Sequence, residues 1–287
     1  MRNGTTSFAA DSPPYFPNKG AGHDVSPSDN PTGRNNNKGF EGMTLEGDGK
    51  TLWVALQAAA NQEGGLTAAA RRYIRLLKYD ITVPSSPRYA REFVVPLPFQ
   101  TSANSKVAAE SEIFHIQDGV FFILSRDSGA GHGQSSSTSV YRHIDIFDVD
   151  AATDIKGSTY DCATCAVASS AGVLKTGITP AEYCSFLDFN VNAQLNRFGL
   201  HNGGTQDATL LNEKWESIGI VPVDGLDGDD DEWFVFSLSD NDFITQNGFI
   251  DGGNIPYSDG SGFNLDNQAL VFKISLPEHS RPFPRGS

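Results

Sequence analysis

Three stretches of this chain repeat one pattern: a glutamate, a short strand, a turn, and a strand rich in aromatic or large apolar residues. Glu41 to Leu45 is followed by a turn at Gly47-Asp48-Gly49-Lys50 and by Leu52 to Gln57. Glu110 to Ile116 is followed by Asp118-Gly119 and by Phe121 to Arg126. Glu216 to Ile220 is followed by an acidic loop and by Trp233 to Ser239. A strand pair that recurs in this way points to propeller blades of roughly 40–50 residues each. On that reading the fold is all-β, and residues 38–276 hold an incomplete β-propeller of about four to five blades. Such a set leaves a sheet edge unpaired and a centre unfilled. Equivalent positions of different blades converge near the axis, so Glu41 and Glu216 are expected to face each other across one site. Hairpins of this kind occur in any antiparallel protein, so the repeat alone leaves other all-β arrangements open.

The rest of the chain is organised around these pairs. Residues 1–37 are rich in Pro, Asn, Gly and Ser and read as an irregular N-terminal segment, and residues 277–287 as a tail. Further strands are expected at 73–81, 91–97, 140–149, 215–221 and 269–275, from alternation or apolar runs. The segment 179–198 is ambiguous. Thr179-Pro180-Ala181-Glu182 has the form of a helix start, yet Tyr183 to Phe189 alternates. Asn190 to Phe198, stopped by Gly199, is the better helix. Gly49-Lys50-Thr51 is not a phosphate loop, because the glycine that motif requires upstream is Thr44.

Composition narrows the function classes. Lys and Arg number 21 against 35 Asp and Glu, for a formal net charge of −14. Such a chain repels phosphate backbones and anionic headgroups, so neither a nucleic acid nor a membrane surface is an expected partner. Divalent cations would be attracted, although acidity also simply keeps a secreted protein soluble. No apolar run reaches the roughly 18 residues of a spanning helix. The first residues lack a basic-then-apolar leader. The three cysteines are Cys162, Cys165 and Cys184. The C-x-x-C pair lacks a second pair for zinc and the βαβ context of a redox motif. One structural disulfide is expected, joining Cys184 to Cys162 or Cys165. Asn3-Gly4-Thr5 is a glycosylation acceptor if the protein is secreted.

Four motifs, in order, carry a resemblance. Asn37-Lys38-Gly39-Phe40-Glu41-Gly42 precedes an Asp-Gly-Lys turn. Leu124-Ser125-Arg126-Asp127 ends a strand. Lys214-Trp215-Glu216-Ser217 holds a second glutamate. Phe236 to Phe243 contains Ser239-Asp240-Asn241-Asp242-Phe243. Together they resemble the phytase-like family, also called esterase-like activity of phytase, from about residue 37 to 275, and the stretch around Phe198 to Gly204 resembles its fungal members. The resemblance implies a secreted, extracellular hydrolase of phosphate monoesters such as phytate, with a small anionic ester as its partner. It also implies further N-terminal blades and acidic motifs, so the chain is expected to be part of a longer protein. A lactonase-type or esterase-type propeller hydrolase is the alternative enzyme, and a non-catalytic extracellular propeller the alternative to both.

Hydrolysis of a phosphate ester requires the substrate's charge to be neutralised and a water to be activated. An acidic site does this by holding cations, and Ca²⁺ suits the oxygen donors available. Glu41, Glu216, Asp240, Asn241 and Asp242 are the candidate Ca²⁺ ligands. If Asp240 and Asp242 continue a strand they share a face; the alternative is a local turn in which they cap the backbone. Arg126 is the candidate clamp on the substrate, its fork matching phosphate, unless it is spent on Asp127 or a channel glutamate. Glu41, Glu216, Arg126 and Asp127 are the candidate catalytic residues. The acidic run at 227–232 reads as a solvated loop. No Gly-x-Ser-x-Gly elbow occurs, and the scattered histidines form no recognisable triad.

Overall fold

The computed structural model describes residues 32–35, 38–101, 106–127, 129, 132, 137–162, 165–224, 231–277 and 280. The described chain is nearly all β. Strands β1 (Phe40–Leu45), β2 (Thr51–Leu56), β3 (Tyr73–Asp80) and β4 (Arg88–Pro96) form an antiparallel meander in sequence order. Strands β5 (Ala109–Gln117), β6 (Val120–Arg126), β7 (Arg142–Asp148) and β8 (Glu182–Asp188) form a second. The third sheet has the order β13-β10-β9, from β9 (Gly219–Pro222), β10 (Glu232–Leu238) and β13 (Ala269–Ser275). A separate hairpin, β11 (Gly248–Ile250) with β12 (Ile255–Tyr257), is inserted between β10 and β13. Among the described residues the strands form two four-stranded sheets, one three-stranded sheet and the two-stranded hairpin, while the connections at 149–181 and 239–268 add no further full sheet.

Local chemistry accounts for the two expected hairpins. Between β1 and β2, the Asp48 carboxylate accepts hydrogen bonds from the backbone of Lys50 (2.8 Å) and Thr51 (3.2 Å), and Gly49 takes a φ of 63°. Between β5 and β6, Gly119 takes a φ of 74°, where a side chain would also strike Asp150 Oδ1. Tyr183 to Phe189 follows its alternation into β8, and helix α1 (Asn192–Leu195) runs on through a 3-10 turn to Phe198, with Gly199 left-handed at its end.

The middle sheet explains the stacking. Alternate residues of a strand face opposite sides, and both sides of β6 are apolar and buried. Phe121 and Ile123 enter one core with Trp53, Ile74 and Phe93 of the first sheet. Phe122 and Leu124 enter another with Trp215 and with Val235 and Ile274 of the third. On the far face of the third sheet Val221, Phe236, Leu238 and Val271 are all exposed. The far face of the first sheet lies against the loop 155–178, whose Ile155, Val167 and Ile178 pack with Val94. There Arg75 is buried in ion pairs with Glu63 and Glu92, the latter at 2.6 Å.

Several expectations are corrected. The disulfide joins Cys162 to Cys165, and Cys184 is free and exposed on β8. A turn hydrogen bond from Cys165 N–H to Cys162 O (3.2 Å) brings the first two cysteines together. The strand expected from 215 begins at Gly219, Trp215 making only an isolated bridge to Ser239. Of the acidic run, Asp227, Asp229 and Asp230 lie outside the described residues, as do the segment 1–31 with its sequon and most of the tail. Glu232 belongs to β10 and pairs with Lys273 at 2.8 Å.

Candidate functional site

The topology collects the singled-out residues on one rim. In a meander, odd and even strands run in opposite directions, so the starts of β1 and β3 lie at the same edge. The start of β5 and the end of β6 share an edge in the second sheet, and the segments before β9 and after β10 share one in the third. Strands β1 and β5 then lie side by side and run the same way. The Gly42 N–H donates to Glu110 Oε2 (3.3 Å), the Met43 N–H to Glu112 Oε1 (3.3 Å), and the His115 N–H to Thr44 Oγ1 (3.1 Å). Lys38, Glu41, Arg71, Glu110, Arg126, Glu216 and Asp240 therefore belong to one rim, while the Asp-Gly turns lie at the other.

The repeat's three glutamates meet here. Glu110 is wholly buried at the β1–β5 seam, and its Oε1 has no hydrogen-bond partner. Burial first, and then the charges of Glu41, Glu112 and Glu216, push its pKa well above the ordinary carboxylate range, against the pull of the Gly42 N–H. Glu41 is exposed as a residue, but its carboxyl is crowded by the rim. Partial desolvation and the facing Glu216 raise its pKa, while Arg126, Lys38 and Lys214 oppose the shift. The charge of Glu216 is one of the causes of that shift. Glu112 is also raised, by desolvation first.

Arg126 is spent on Glu216. It donates to Glu216 Oε1 at 2.6 Å, to Ser111 Oγ at 3.0 Å and to the backbone oxygen of Asp127 at 3.3 Å. The Asp127 carboxylate has a different task. Its Oδ1 accepts from Ser139 Oγ (2.7 Å) and Gly129 N–H (3.1 Å), and its Oδ2 from the N–H groups of Val140 and Tyr141. All its lone pairs hold the chain that returns into β7, which leaves it nothing with which to act on a substrate.

Asp240, Asn241 and Asp242 form a turn, not a strand. Asp240 Oδ1 accepts from Asp242 N–H, Asn241 Oδ1 accepts from Phe243 N–H, each at 2.9 Å, and Asp242 and Phe243 have φ of 51° and 58°. The Asn241 amide donates to Leu265 O (2.9 Å). Both aspartates still point at one cation, the ammonium of Lys214, which lies 2.8 Å from Asp240 and 3.9 Å from Glu216. Burial alone would lower the Lys214 pKa; the hydrogen bonds to Asp240 and Asp242 raise it above the ordinary lysine value.

This donor set does not form a Ca²⁺ cage. Among the described residues no three His, Cys, Asp or Glu side chains are grouped to hold a metal ion. The positions at which a cation would balance Glu216, Asp240 and Asp242 are taken by Arg126 and Lys214, and the oxygen of Asn241 is used inside its own turn.

Four participants escaped the sequence reading as site residues. Lys38 and Lys214 stand inside two of the quoted motifs, three and two residues before their glutamates, which was the available signal. Glu110 opens the second repeat but was not carried into the site. Arg71 has no periodic signal; it follows a turn closed by the Ala70 N–H to Thr67 O bond (2.9 Å), directly before β3.

Residues 6–243 match the phytase-like family, described as esterase-like activity of phytase. The match starts within the segment expected to be irregular and stops before β13. An uncharacterized secreted protein of Arthroderma benhamiae is 48% identical over 260 residues, which cover 86% of this chain and 50% of that protein. The chain thus spans about half the length of the curated relative it matches. No solved structure matches.

Proposed function

The chain belongs to the phytase-like family, and from that premise we propose that it forms part of a secreted hydrolase of anionic esters, phosphate monoesters first among them. The secreted relative supports the location. The stacked sheets, each offering a glutamate to a common rim, support reading them as consecutive propeller blades. The observation that carries the activity is that Glu41 and Glu216 stand on one rim, with Arg126 bound to Glu216 at 2.6 Å.

The pair divides the labour. Arg126 and Lys214 hold Glu216 in place. Glu41 has no such hydrogen-bonded cation, and its raised pKa suits a group that accepts a proton from an attacking water and returns it to solvent. Water oxygen bonds to phosphorus as the ester P–O bond breaks, the departing alkoxide takes up a proton from solvent, and the rim cations balance the charge on the phosphoryl oxygens. No step is assigned to a metal, because the carboxylates present do not converge on one.

The test is phosphate release from 4-nitrophenyl phosphate and from phytate, with 4-nitrophenyl acetate as the uncharged comparison. Glu41→Gln should lower kcat by about 100-fold or more, in the range of a lost general base. Unchanged phosphate release in that variant would remove Glu41 from the chemistry. Turnover of the acetate alone would favour the lactonase or esterase reading. One observation favours a non-catalytic protein: Glu216, Asp240 and Asp242 are already neutralised internally. Absence of turnover on all three esters by the folded protein would select that reading.

A further inference from the structure

We propose that Lys38 and Arg71 form the anion-recognition pair of this rim, taking the non-bridging oxygens of a doubly charged tetrahedral group and setting the preference for charged over neutral esters. The inference deepens the hydrolase reading and rests on it for the identity of the substrate; anion binding itself can be measured without turnover.

The first ground is the lack of partners. Every other cation on the rim is engaged, Arg126 by Glu216 and Ser111, Lys214 by Asp240 and Asp242. Arg71 and Lys38 make no side-chain hydrogen bond or ion pair among the described residues, and the buried Nε of Arg71 has no acceptor. A buried guanidinium N–H without an acceptor is costly, and such a group is where a ligand oxygen is expected.

The second ground is placement. Arg71 precedes β3 and Lys38 precedes β1, so both stand at the site rim of the first sheet. Lys38 feels Arg71 and Arg126 as repelling charges and Glu41 and Glu216 as attracting ones, and burial together with the two arginines lowers its pKa. Arg126 and Lys214 are already paired with Glu216, Asp240 and Asp242, and Glu110 is held toward its neutral form, so Lys38 and Arg71 are the rim cations left to meet an anion. Guanidinium matches a phosphate fork geometrically, and the ammonium adds a mobile point charge.

The third ground is the neighbouring chemistry. An anion between Lys38 and Arg71 lies within the electrostatic reach of Arg126 and Glu41, the clamp and proton acceptor of the proposed reaction. It would relieve the like-charge repulsion that the free rim carries.

The experiment is calorimetric titration of inorganic phosphate into the full chain, with chloride as the competitor, for the wild type, Arg71→Gln, Lys38→Gln and the remote control Lys273→Gln. Phosphate should bind the wild type and the control alike and bind each rim variant about tenfold more weakly, the loss expected for one charge-assisted contact. For 4-nitrophenyl phosphate, Arg71→Gln should raise KM by a similar factor while the control Lys273→Gln leaves it unchanged. Arg71→Lys, which keeps the charge, should recover part of the affinity. Equal binding by wild type and both folded rim variants overturns the proposal, as does a wild type that binds no phosphate at millimolar concentration. Should Arg71→Gln lose cooperative unfolding, Lys38→Gln decides alone. Weakened phosphate binding in variants of a protein that turns over no ester upholds the anion site and refutes the hydrolase reading.

Discussion

Glu110 has no exposed area, one carboxylate oxygen without a partner, and three other glutamates acting on it. Its folded pKa lies well above the unfolded value of about 4.3. Between those two values the folded protein holds a proton that the unfolded chain has released, so stability falls as pH rises. The full contribution is present below the unfolded pKa and is lost as pH passes the folded one. Glu110→Gln mimics the neutral acid and removes this slope. Thermal midpoints from pH 4 to 8 should therefore decline more steeply for the wild type, by up to about 1.4 kcal/mol per pH unit for one proton. Parallel curves would mean that Glu110 ionises in place without cost. Asp80 and Asp207 work the other way: local hydrogen bonds to Thr82 and Thr209 hold both down to about 2. Their contribution is present above the unfolded pKa and fades as pH falls below it toward about 2. Both are exposed, so that effect is screened.

The seam between β1 and β5 depends on the absence of a side chain. A Cβ at Gly42 would lie 2.1 Å from Glu110 Oε1 and 2.8 Å from the Ile113 backbone nitrogen. Neither can yield easily, the first being wholly buried and the second part of a strand. Gly42→Ala should cost on the order of 1–3 kcal/mol, the usual range for overpacking, and should displace Glu41, its chain neighbour. Urea unfolding with an unchanged slope and a lower midpoint is the expected result; an unaltered midpoint would show that the strands separate freely. Legibility followed the same physics. Elements with buried faces were readable: β3, β6, β7 and β13 announce themselves by alternation or apolar runs. Strands β11 and β12 span three residues each, with Phe249, Ile250 and Ile255 exposed, and no burial pattern marks them. The turn at Asp240 to Asp242 looked equally like a strand end, because Asx capping and shared-face ligation use the same residues. The cysteine pairing was beyond the sequence, since a turn hydrogen bond decided it. Glu41 and Glu216 stood out because the repeat places them in register, whereas Glu110, in the same register, was not read into the site. Arg71, whose position comes from an irregular turn, was not.

At the scale of the whole molecule, one strand holds the layers together. Phe121 and Phe122 are neighbours in the chain but lie in different cores, each with 0% exposure. Phe121 meets Trp53 edge-on at 5.0 Å and stacks on Phe147 at 4.8 Å. Phe122 packs toward Trp215 and Val235 in the second core. The cores on either side of β6 therefore cannot unfold independently without exposing half of that strand's apolar side chains. The outer face of the third sheet contributes nothing to this coupling, because Phe236, Leu238 and Val271 already face solvent. Calorimetry should show a single transition. Phe121→Ala and Phe122→Ala should each shift it downward by about 3–5 kcal/mol, the usual cost of emptying a buried phenylalanine site, without splitting it. Two separated transitions, with each variant lowering only one, would mean that the sheets fold as autonomous layers. The rim site, which draws residues from all three, would then require their docking as a separate step.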